Sequence, residues 1–143
     1  MTPESKIEIA QRATEALRRR DLEALGELLA PDCEIVPIRA DVEQTVFRGP
    51  DALPRWFAAT DEAWESMTGE IENRREGPDW VLSFIRLRAR GRESGAELDI
   101  PAASVYRLRD GLITALRVYT SRADALADLG LALGDDPAPD RPD

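Results

Sequence analysis

The chain contains no histidine and a single cysteine, Cys33. Without histidine there is no imidazole general base, no imidazole zinc ligand and no Ser-His or Cys-His nucleophile pair. One thiol permits neither an intrachain disulfide nor a cysteine-based metal cluster. With no histidine to activate it, Cys33 reads as a small core residue rather than a nucleophile. No metal or other cofactor is implied, and any chemistry falls to carboxylates, tyrosines, lysine or arginines. Long apolar runs are missing too: nothing approaches the roughly 18 residues that a membrane helix needs. The start, MTPESKIEIA, sets charges where a secretory leader would need an apolar stretch, so the expected location is cytoplasmic. A net charge of −9 leaves no dominant basic surface, which argues against nucleic acid or an anionic membrane as partner.

What is present is the composition of one globular domain: 143 residues, 43% hydrophobic and 33% charged, enough to build a core. PESKIEIAQRATEALRRR places Ile9, Ala13, Ala16 and Leu17 at helical spacing and ends in three arginines that suit the negative end of the helix dipole. Asp21 caps a second helix, LEALGELLA, stopped by Pro31. Asp32 to Pro37 reads as a strand, followed by a loop from Ile38 to Gly49. A third helix opens at Asp51 and carries Trp56, Phe57, Thr60 and Trp64, with Pro54 in its first turn where the missing N–H costs little.

Beyond Trp64 the period changes. Glu70–Glu76, Trp80–Arg90, Glu97–Arg107 and Leu112–Thr120 read as successive strands between Gly, Pro and Asp turns, and RADALADLGL as a last helix capped by Thr120 or Ser121. The tail over 132–143, rich in Pro and Asp, has nothing to bury and is expected to be disordered. Helices first and strands after make an α+β fold: a curved antiparallel sheet wrapped around the N-terminal helices.

The turns suggest a register. With Arg92–Gly95 as a hairpin turn, Arg90 faces Glu97 and Arg88 faces Asp99, two opposite-charge pairs each worth roughly 0.2–1 kcal/mol. The same register sets Ile85 opposite Ala102, Leu87 opposite Ile100 and Ser83 opposite Ser104. The turn at Asp110-Gly111 then brings Ser104 near Leu116 and Ala102 near Val118. One face is a charged ladder containing Arg86, Arg88 and Arg90, which reads as solvated or dimer-facing rather than phosphate-binding. The other is uncharged, with Ser83, Ser104, Tyr106, Thr114 and Thr120 as its polar tips.

The stretches RRRDLEALGELLAPDCEI, FRGPDALPRWF and VYRLRDGLITALRVYTSRADALADLGL resemble the SnoaL-like branch of the nuclear transport factor 2-like superfamily. The likeness spans about residues 5 to 131, so a SnoaL-like domain is expected over 1–131. It implies a cone-shaped α+β barrel enclosing a central pocket, and commonly a homodimer formed through the outer sheet face. The working positions of its enzymes are uncharged here, and most are apolar. The first-helix tyrosine, first-strand base and sheet acid of ketosteroid-isomerase-like members look like Ala13, Pro37 and Ser104. The residues of limonene-epoxide-hydrolase-like members look like Ile35, Pro37, Ile85, Leu87 and Val118. Scytalone-dehydratase-like members rely on histidines, and the wall aspartate of SnoaL-like cyclases has no counterpart on the expected inner face.

Beside a protein-interaction role, for which the outer sheet face is the candidate surface, two functions remain. In the first, a mainly apolar small molecule binds among Cys33, Ile35, Pro37, Phe57, Ile85, Leu87, Ile100, Ala102, Leu116 and Val118, oriented by Ser104, Tyr106 and Thr120. The same side chains would equally fill a core. In the second, the chain is an isomerase, cyclase or hydrolase. Asp41 or Glu43, on the loop bordering the pocket mouth, would act as general base with Tyr106 donating to an oxyanion. Glu34 is a weaker base, since strand alternation turns it outward.

Overall fold

The computed structural model describes residues 5–37 and 46–131, so the expected tail over 132–143 lies outside the described residues. Helix α1, Lys6–Arg19, begins with a reciprocal cap: the Ser5 hydroxyl accepts from the Glu8 N–H, and the Glu8 carboxylate accepts from the Ser5 N–H. Its buried stripe, Ile9, Ala10, Ala13 and Ala16, is narrow because three of the four are alanines, so the helix lies close to its neighbours. Arg20 ends it in the left-handed region at φ 56°. Asp21 caps α2, Leu22–Leu28, by accepting from the Ala24 N–H.

Strand β1, Leu29–Val36, and the short β2, Phe47–Arg48, follow. Helix α3 covers Ala52–Ala63, and β3 begins directly at Trp64 and runs to Glu76. Trp64 therefore opens a strand instead of closing the helix, and β3 is longer than the expected Glu70–Glu76. The early part was hidden because β3 is an edge strand, exposed on much of both faces, and so lacks a strong apolar alternation. Strands β4, Trp80–Gly91, β5, Glu97–Arg109, and β6, Leu112–Tyr119, complete the sheet, and α4, Arg122–Asp128, is capped by Ser121.

The described strands form one curved, unclosed sheet in the order β2-β1-β6-β5-β4-β3. All pairings are antiparallel except β1 with β6, which is parallel. The β4–β5 register matches the charge pairing: Arg90 faces Glu97, Arg88 faces Asp99, Leu87 faces Ile100 and Ile85 faces Ala102. The β5–β6 register differs from expectation by two residues, with Ser104 facing Val118 and Tyr106 facing Leu116. One residue of the difference is set at the tight turn, where Arg109 faces Leu112, and the other by a bulge at Thr114, whose hydroxyl donates to the Arg107 carbonyl. The bulge lets Ile113 and Leu116 both turn inward and keeps Arg117 out, where it stacks on the Tyr119 ring and pairs with Asp128.

The sheet has an apolar core on each side. On the concave side α1, α2 and α3 bury Ile9, Leu25, Leu53 and Ile113 against β1, β5 and β6. On the convex side α4 packs Ala125 and Leu126 onto Trp80, Leu82, Phe84 and Val105. Arg122 pins α4 there: its guanidinium donates to the Ile85 and Ala102 carbonyls, pairs with Glu72 and lies over the Phe84 ring. The rest of the convex face is the arginine ladder, with Arg86 on Asp99, Arg88 on Glu70 and Arg90 on Glu97.

Candidate functional site

Between the concave face and the helices lies a cavity of about 610 Å³. The sheet supplies Ile85 and Leu87 from β4, Ser104 and Tyr106 from β5, and Leu116 and Val118 from β6. Helix α3 closes the other side with Trp56 and Phe57, whose ring centroids are 5.5 Å apart. Pro37 and Phe47 stand at one end, and the early part of β3, including Met67, Gly69 and Ile71, forms the edge wall. At the rim, Arg20 donates to both oxygens of Asp61 at 2.8 and 2.9 Å and lies 4.7 Å over the Phe57 ring.

Pro37, Phe57, Ile85, Leu87, Ser104, Tyr106, Leu116 and Val118 thus share one cavity. Besides Cys33, four other candidates do not line it. Ile35 is buried in the main core against β6, Ala102 is sealed beneath Ile85 and Leu87, and Ile100 packs at the margin of that small cluster. Thr120 lies past the end of β6 and is exposed. Asp41 and Glu43 fall outside the described residues. Glu34 pairs with Arg48 at 3.1 Å on the surface. Among the described residues the carboxylates that reach the cavity are Asp61, held by Arg20, and Glu65, 3.9 Å from Arg90.

Thr14 and Arg74 were missed by sequence reasoning, and they build the polar base of the cavity. Arg74 donates from Nη2 to the Thr14 hydroxyl at 2.7 Å and from Nε to the Ser83 hydroxyl at 3.2 Å. Thr14 donates its own proton to the Ala10 carbonyl at 2.8 Å and lies beside the Tyr106 hydroxyl. Burial pushes the Tyr106 phenol above its ordinary value, against the lowering effects of Thr14 and the nearby Arg74 charge. Burial likewise lowers the Arg74 guanidinium from its ordinary value. Ser104 is 8% exposed, lines the cavity and has no hydrogen-bond partner among the described residues. Thr14 is a threonine inside an alanine-rich helical stripe, the one local signal that marked it; Arg74 carried none.

Cys33 is buried in the core and outside the cavity lining. Among the described residues no group of three Cys, Asp or Glu side chains is placed to hold a metal ion, and no helix is long and apolar enough to cross a membrane.

Comparison with solved structures finds the same fold widely. A nuclear transport factor 2-like protein of unknown function from Burkholderia pseudomallei superposes with a TM-score of 0.71 at 16% identity, covering 85% of this chain and 94% of that one. A protein of ketosteroid isomerase-like fold from Catenulispora acidiphila, in complex with trimethylamine, gives 0.68 at 24% identity, covering 93% and 100%. A protein from Mesorhizobium loti named for its likeness to SnoaL-like polyketide cyclases gives 0.65 at 22% identity, covering 81% and 99%. At these identities the likeness is one of fold. Comparison with curated sequences gives no match. The profile of the SnoaL-like domain, however, matches residues 10–116, from α1 to the cavity-lining Leu116, and the chain belongs to the SnoaL-like domain family.

Proposed function

We propose that the protein binds a small, mainly apolar molecule in the cavity between α3 and the concave face of the sheet. The observation that carries this reading is the volume of about 610 Å³ left between Trp56, Phe57, Ile85, Leu87, Leu116 and Val118. Packed interiors keep few voids larger than a water molecule, whereas ligand pockets occupy roughly 300–1,000 Å³ with apolar walls and a few placed polar groups. Tyr106 and Ser104 are such groups here. The test is titration with an apolar fluorophore: wild type should give saturable enhancement, and Val118→Trp, which fills the cavity from β6, should abolish it while retaining the fold. Equal binding by Val118→Trp would overturn the reading.

The cavity also supports a second reading, an isomerase, cyclase or hydrolase. The observation favouring it is the buried Tyr106 phenol beside Thr14, which Arg74 holds, a donor arrangement suited to a developing oxyanion. The base would then be Asp41 or Glu43. Asp41→Asn or Glu43→Gln should abolish turnover of a true substrate under this reading and leave ligand binding nearly unchanged under the first. We further propose a homodimer through the convex face, where α4 leaves the ladder of Arg86, Arg88 and Arg90 uncovered.

A further inference from the structure

Arg74 is half-buried, yet no carboxylate lies within 4 Å of it among the described residues; its partners there are the hydroxyls of Thr14 and Ser83. Arg20, Arg86, Arg88, Arg90 and Arg122 all hold carboxylates. A cation drawn partly out of water and left without a counter-ion favours an anion brought next to it. Arg74 stands one hydroxyl behind the cavity wall, because Thr14, which it contacts directly, lines the cavity beside Tyr106. Independently, the hydroxyl of Ser104, which lines the same space, has no partner among the described residues, two positions along β5 from Tyr106 on the same face.

We propose that this base is a seat for an oxyanion, and that the ligand is an apolar acid whose carboxylate, sulfonate, phenolate or enolate oxygen accepts from Ser104 and Tyr106. Arg74 compensates the charge from behind without touching the ligand. The hydrogen bonds allow it. Thr14 spends its one proton on Ala10, so its oxygen only accepts, as it does from Arg74. An anion at Tyr106 accepts a charge-assisted hydrogen bond from the phenolic O–H while Arg74 keeps Thr14 in place. The rim arginines do not explain such a preference equally well, since Arg18 and Arg20 are already paired with Glu15 and Asp61.

This inference rests on the cavity being a binding site, and one pair of probes separates the two. N-Phenyl-1-naphthylamine is neutral; 1-anilinonaphthalene-8-sulfonate has the same ring framework with an added anion. Wild type should bind both in competition, the sulfonate about tenfold more tightly. Arg74→Met should bring the ratio of the two affinities to about one, and Arg74→Lys should restore part of the preference. Thermal melts check that Arg74→Met folds; if it does not, Arg74→Lys and Ser104→Ala carry the test, each expected to narrow the preference. If the neutral probe binds and wild type shows no preference for the sulfonate, the oxyanion seat is wrong and the binding reading stands. A preference that survives Arg74→Met, or that vanishes in Arg18→Gln instead, also overturns the seat. If neither probe binds, the binding reading fails and the seat with it.

Discussion

Single residues show how little of this chain's reactivity is left to chance encounters. Burial, and then the neighbouring Asp32 charge, push the Cys33 thiol up to about 11. At pH 8 only about one thiol in a thousand is then ionised, and it is sealed in the core. A disulfide reagent should therefore modify Cys33 only as fast as the protein unfolds, which a comparison of labelling rates across urea concentrations checks. A different constraint acts at Gly77, in the turn between β3 and β4. A Cβ built there would sit 2.1 Å from the Trp80 ring, which is itself buried under α4, while the Gly77 N–H donates to the Trp80 carbonyl. Gly77→Ala is expected to lower stability by roughly 1–3 kcal/mol in urea denaturation, because the indole must leave its packing site. The burial of Cys33 was legible beforehand, from a lone thiol on an apolar strand, but the Gly77 constraint was not: a turn glycine in the sequence announces a turn, not the ring that leans on it.

Among the elements, α4 is held by chemistry that depends on pH. The Tyr119 hydroxyl donates to Asp128 at 2.6 Å, and burial, then that bond, hold its phenol well above the ordinary tyrosine range. A group whose folded value is raised stabilises the fold fully below its unfolded value, near pH 10, and the benefit is lost as pH rises through the folded value. Melting temperature should thus fall as pH is raised beyond about 10, and Tyr119→Phe should melt with a shallower alkaline slope. Tyr106 adds a slope of the same sign, so the comparison is with wild type over the same range. Pairing between elements was legible where charges faced each other, as in Arg88 with Asp99 and Arg90 with Glu97. It was not legible across β5 and β6, because a bulge is set by one backbone kink and one hydroxyl, and Thr114 looks like any other strand threonine.

For the whole molecule, the sequence disclosed the α+β plan and much of the sheet's share of the cavity, since strand alternation reports which face a residue takes. It disclosed little of the helix and edge-strand share. Thr14 and Arg74 meet across 60 positions of chain, and nothing local to either predicts the other. Assembly belongs to this scale as well. The proposed dimer should appear as twice the chain mass in light scattering at micromolar concentration, and Arg88→Glu should shift it towards the monomer; a monomeric wild type would refute the dimer.

The Thr114 bulge carries a consequence for descent. Parity along β6 decides whether Leu116 and Val118 or Arg117 and Tyr119 look into the cavity. A lineage that loses one residue between Gly111 and Leu116 inverts that wall at a stroke, whereas losing two leaves it facing as before. Length changes in this segment should therefore be tolerated in pairs. A relative that differs by a single residue there should carry its apolar side chains one place out of step, as the trace of a compensated frame.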